Sequence, residues 1–168
     1  MRINSDKDNK ENCPSGLTGK WKAVNTGETM EITGQCLYYL IGTYPYSFPD
    51  PNTLHYGRDT FYQRVSGNPG FLIGMWRNEE IGEELIFRED GTYSSKWTGG
   101  EAYSGTYTAT ETLITTSEMR ATLKTDGSNI TWSKADDGSV FHGTFEIVSS
   151  EKWILRLGGM EEIIYTRV

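Results

Sequence analysis

The chain has 168 residues, the size of one ordinary domain, which excludes a large multidomain enzyme. Sixteen basic against 23 acidic side chains leave a formal charge of -7, which lacks the footprint of a nucleic-acid binder and disfavours anionic membrane surfaces. Aromatic residues make up 12% and glycine outnumbers proline 19 to 5, a composition that favours a folded chain of short strands and tight turns.

Residues 1–16 are polar and aperiodic and read as a flexible leader. They contain no apolar signal-peptide core, and no run in the chain is long enough for a membrane span. A mature secreted or periplasmic protein is expected, with a cytoplasmic one as the alternative. Cys13 and Cys36 are compatible with one disulfide or two free thiols; we favour the disulfide, because Cys13 lies just ahead of the first strand.

From Leu17 onward, alternating apolar and polar residues are interrupted by turn residues about every eight to twelve positions, as in a sandwich or barrel. Strands are expected at 29–33 and 83–87, followed by an Asp90-Gly91 turn. A strand over 92–98 places Tyr93, Ser95 and Trp97 on one face. Gly99-Gly100 turns into 101–110, where Tyr103, Gly105, Tyr107 and Ala109 share a face. Asp126-Gly127 and Asp137-Gly138 bracket a strand at 129–134, and further strands fall at 141–148, 153–157 and 161–167. No window carries a helical apolar stripe.

Two stretches begin and end alike. Residues 17–65 open Leu17-Thr18-Gly19-Lys20-Trp21 and close on Tyr62-Gln63-Arg64-Val65. Residues 72–168 open Leu72-Ile73-Gly74-Met75-Trp76 and close on Tyr165-Thr166-Arg167-Val168. The Ser66-Gly67-Asn68-Pro69-Gly70 segment punctuates them. The first unit is too short to close an eight-strand barrel, so it either adds a small sheet or completes one barrel with the second.

On the Gly-x-Trp opening and the terminal Arg, the chain resembles the lipocalins and bacterial lipocalin-like domains. That resemblance implies an all-β, antiparallel up-and-down meander forming a lipocalin-like β-barrel, with an Arg stacked on the Trp to close one end. It implies structural roles for Trp21, Arg64, Trp76 and Arg167, with Trp76 paired to Arg167 and Trp21 to Arg64. The chain lacks the Thr-Asp-Tyr element and the C-terminal helix of true lipocalins.

Chemistry-bearing clusters are sparse. Cys13, Cys36, His55 and His142 have no metal-ligand spacing, so neither metal nor cofactor is expected. The doublets Glu79-Glu80, Glu83-Glu84, Asp136-Asp137 and Glu161-Glu162 read as solvated strand faces and turn tips. No nucleophile motif or phosphate-binding loop is present, and no catalytic residue is assigned. Asn129-Ile130-Thr131 fits the glycosylation pattern.

The aromatic surplus is the remaining signal. Trp97, Tyr103, Tyr107 and Phe145 are candidates to line a barrel interior. Tyr44, Tyr46 and Phe48, among Pro45, Pro49 and Pro51, are candidates for a rigid contact loop, or for a proline-stiffened hairpin packed on the core. The expected function is non-catalytic binding of a small apolar or aromatic ligand. The alternatives are a protein-interaction module, an inhibitor or accessory protein, and a barrel cyclase or isomerase. Oligomeric state is not legible in the sequence.

Overall fold

In a computed structural model, which describes residues 13–100 and 102–168, the chain is all-β, and no helix occurs among the described residues. Among the described residues fourteen strands run in order: β1 (Gly19–Ala23), β2 (Thr29–Ile32), β3 (Leu37–Asp50), β4 (Thr53–Tyr56), β5 (Thr60–Ser66), β6 (Gly74–Asn78), β7 (Glu83–Phe87), β8 (Thr92–Trp97), β9 (Ala102–Ala109), β10 (Leu113–Asp126), β11 (Asn129–Lys134), β12 (Val140–Ser149), β13 (Lys152–Leu157) and β14 (Ile163–Arg167). All pairings are antiparallel, and β1 pairs with β14 to close the meander into a ring. The strands before and after the 66–70 linker therefore belong to one sheet.

The ring is pinched across its middle. β3 and β10, each 14 residues long, pair with one another over 37–45 and 113–122. On its other edge β3 pairs first with β2 and then with β4, while β10 pairs with β9 over Ile114 to Glu118 and with β11 from Ala121 onward. Two closed circuits result, each of eight strands: lobe A contains β1, β2, β3 and β10 to β14, and lobe B contains β3 to β10. Each lobe has its own core. Leu17, Trp21, Met30, Leu123, Trp153 and Leu155 fill lobe A. Leu54, Trp76, Leu85, Phe87, Tyr93 and Ile114 fill lobe B.

The two Gly-x-Trp openings have the same local geometry. Trp21 Nε1 donates to the Leu17 carbonyl at 2.8 Å, and Trp76 Nε1 to the Leu72 carbonyl at 2.9 Å. Above each indole lies a guanidinium, but the partners are the reverse of those expected from sequence. Arg167 sits 4.0 Å from the Trp21 ring centroid and Arg64 4.2 Å from that of Trp76. The cause is topological: β1 closes on β14 and β5 pairs with β6, so each Arg reaches the Trp on the adjacent strand. Arg167 then donates to the carbonyls of Ser150 and Thr18, and Arg64 to those of Phe71 and Pro51.

Cys13 and Cys36 form a disulfide, both buried, which ties the chain ahead of β1 to the β2–β3 turn at the Trp21 end of lobe A. That bond is compatible with an extracellular or periplasmic location. Residues 44–50, read from sequence as a rigid contact loop or as a proline-stiffened hairpin packed on the core, are the last part of β3, which pairs with β4. Tyr46 and Phe48 meet edge to face at 5.8 Å, and Phe48 stacks on Trp76 at 5.9 Å, so both pack on the lobe B core.

Candidate functional site

Each lobe holds a cavity at the end away from its Trp–Arg pair. In lobe A the cavity has a volume of about 390 Å³. Its walls come from inward positions of β3, β11, β13 and β14: Leu40, Trp132, Leu155, Leu157, Ile163 and Tyr165. Period-two alternation places these side chains inside while their neighbours face water. The Tyr38 and Trp132 rings meet at 4.6 Å on one wall, tilted by 59°, and Trp153 stacks on Tyr165 at 4.2 Å beneath. Asn25, Thr26 and Glu28, exposed on the β1–β2 turn, form the rim. Burial pushes the Tyr38 hydroxyl up to about 12, and this protonated hydroxyl donates to Met30 Sδ at 2.9 Å.

The lobe B cavity, about 270 Å³, is different in kind. Tyr44, Tyr56, Tyr62, Tyr93 and Trp97 surround it, and the Glu83 carboxylate lies in its wall. Glu83 is only 9% exposed. It accepts hydrogen bonds from Tyr62 Oη at 2.6 Å and Ser95 Oγ at 3.0 Å. Burial raises its pKa above the usual carboxylate range, while these two bonds oppose the rise. Burial also pushes the hydroxyls of Tyr56 and Tyr93 up, and the negative field of Glu118 and Glu83 adds to it.

The cavities lie next to one another along the shared strands. On β3, Tyr38 and Leu40 face lobe A and Tyr44 faces lobe B. Leu40 and Tyr44 are four positions apart along the strand, roughly 13 Å. Gly42 lies between them beneath the Tyr44 ring, where a Cβ would collide with it. Arg120 lines both cavities from the bulge that interrupts β10–β3 pairing between Met119 and Ala121. Such a bulge re-aims a side chain without ending the strand. Arg120 donates through Nε and Nη2 to one oxygen of Glu118, at 3.0 and 2.7 Å, and lies 3.8 Å from the Tyr103 ring centroid. Tyr103 Oη in turn donates to Asp136 Oδ2 at 3.1 Å, a hydrogen bond from lobe B to lobe A.

The four interior candidates are not gathered in one place. Trp97 lines the lobe B cavity and Tyr103 that of lobe A. Tyr107 packs edge to face on Phe87 at 5.1 Å and donates to the Arg88 carbonyl. Phe145 is buried in the lobe A core. Among the contact-loop candidates, Tyr44 borders the lobe B cavity, 5.2 Å from Tyr56. Two acidic residues read as solvated are buried instead: Glu83, and Asp136, whose side chain is 1% exposed beside Lys134. The signal for Glu83 was present, since alternation puts it on the same face as Leu85 and Phe87. Arg120 had no such signal, because its position depends on a bulge. His55 stacks on Phe61 and contacts the Arg58 carbonyl, and His142 contacts Thr131, both outside the two cavities. Among the described residues no cluster of three or more His, Cys, Asp or Glu is placed to hold a metal. Comparison with family models, with characterised proteins and with solved structures finds no match to this chain.

Proposed function

We propose that the protein is a non-catalytic binding protein that holds a small apolar or aromatic molecule in the lobe A cavity, each lobe being a lipocalin-like barrel in an exported chain. The carrying observation is the cavity itself. Its volume of about 390 Å³ falls within the roughly 300–1,000 Å³ of small-molecule sites, and its lining is mainly aliphatic and aromatic, with Arg120 and Lys134 beside it and Glu28 at the rim. Burial of apolar ligand surface supplies the affinity, and the Tyr38 and Tyr165 hydroxyls orient the ligand. The Trp–Arg closure of the far end and the Cys13–Cys36 disulfide support the lipocalin-like and exported readings respectively.

Trp132 lies in the wall, and a panel of small aromatic and aliphatic compounds is expected to change the intrinsic tryptophan fluorescence saturably at micromolar concentrations. Ile163→Trp, which places an indole in the cavity, is expected to weaken binding at least about tenfold. No saturable change with any compound at about 100 μM, or undiminished binding by Ile163→Trp, rejects the reading.

A further inference from the structure

We propose that the lobe B cavity is a second, separate ligand site, for a small organic ammonium cation. Its walls and its charge argue for the same ligand class. Tyr44, Tyr56, Tyr62, Tyr93 and Trp97 present aromatic surface around one space of about 270 Å³. Aromatic faces attract a weakly hydrated cation, and the attraction grows as water is excluded. Glu83 supplies the countercharge. Its two hydrogen bonds, from Tyr62 and Ser95, fix the carboxylate and leave acceptor capacity for a ligand N–H or for direct ion pairing.

Other ligand classes fit worse. An anion would face both Glu83 and Glu118, while the one cation lining the cavity among the described residues, Arg120, is already engaged by Glu118 and by the Tyr103 ring. A purely apolar ligand would strip water from Glu83 without compensation. A hard metal ion requires six or more oxygen ligands, and no suitable cluster exists among the described residues. The volume, below that of the lobe A cavity, suits a compact head group such as a trimethylammonium or a short primary amine.

The test compares isosteres. Choline and its uncharged analogue 3,3-dimethylbutan-1-ol are titrated calorimetrically into the wild-type protein, alongside benzylamine and benzyl alcohol. At neutral pH each cation is expected to bind at least about tenfold more tightly than its neutral partner. Glu83→Gln, which keeps the hydrogen bond from Tyr62, is expected to remove that preference while leaving the neutral compounds unaffected. Ile163→Trp, which narrows the lobe A cavity, is expected to leave cation binding unchanged, so this site and the lobe A reading fail or stand separately. Equal affinities within both pairs, no binding of either cation at about 10 mM, or full cation binding by Glu83→Gln overturns the proposal.

Discussion

At the scale of single residues, the most consequential side chain is Glu83, an acid held in a largely apolar, tyrosine-rich wall. Because burial raises its pKa in the native state, the folded protein binds a proton more readily than the unfolded chain does. Its protonated form therefore stabilises the fold fully below the ordinary carboxylate pKa of about 4.3, and this contribution is lost as pH rises through the raised native value. The exposed acids work in the opposite sense and in a lower window. Asp50, Asp90 and Asp137 have lowered pKa values, through hydrogen bonds from Thr53, Thr92 and Ser139 respectively, so their contribution is lost only on acidification below about pH 4. Thermal unfolding followed from about pH 4.5 to 7.5 should show stability falling with pH in the wild type and a flatter profile in Glu83→Gln. A Glu83→Gln profile parallel to wild type would show that Glu83 titrates normally.

Among the elements, the two strand openings invite direct comparison, because the same residues meet different obstacles. Gly19 and Gly74 have φ of +118° and +143°, where a side chain is strained. A Cβ on Gly19 would lie 2.5 Å from Arg167 Nη1, the end of a flexible side chain, whereas one on Gly74 would lie 2.2 Å from the Ser66 backbone oxygen. Gly19→Ala should cost about 2 kcal/mol and Gly74→Ala about 4, since only the former can relax by side-chain movement. Chemical denaturation of the two variants measures the difference, and equal costs would mean that backbone strain alone decides. Strand legibility in the sequence follows similar local logic. β7 and β11 coincide with the expected 83–87 and 129–134, and β2, β8, β9 and β12 to β14 agree within two residues, because alternation and Asp-Gly or Gly-Gly turns mark their ends. β3 and β10 are different. Pro45 and Pro49 argue against a central strand. Yet Pro45 lies where β2 pairing has ended at Ile41 and β4 pairing begins at Tyr46, and its carbonyl still accepts from Gly57. A strand that serves two lobes changes neighbours midway, and neither alternation nor turn chemistry encodes that change. The site was legible only in part for the same reason: Trp97 and Tyr103 were identifiable by face, but their assignment to separate cavities depends on the pinch.

For the whole molecule, that pinch makes each lobe dependent on chain from both sides of the 66–70 linker. Lobe A takes β1 to β3 from before it and β10 to β14 from after it; lobe B takes β3 to β5 and β6 to β10. A break in the exposed linker severs no strand, but it divides the molecule along the β1–β14, β3–β10 and β5–β6 pairings. It also separates Trp21 from Arg167 and Trp76 from Arg64. Residues 71–168 alone would leave both circuits open, exposing the edges of β6, β10 and β14 and the core faces that β1 to β5 cover. A protein carrying a specific protease site at 67–70 should therefore stay folded after cleavage, with both fragments co-migrating on size exclusion. Denatured and separated, 1–70 and 71–168 should each lack near-ultraviolet circular dichroism from packed tryptophan, and mixing should restore it. Cooperative folding of 71–168 on its own would show instead that the second stretch carries an independent core and that β1 to β5 are an addition to it. The pairing of β10 with β3 weighs against that outcome, because the longest strand of 71–168 has one edge devoted to a strand that this fragment lacks.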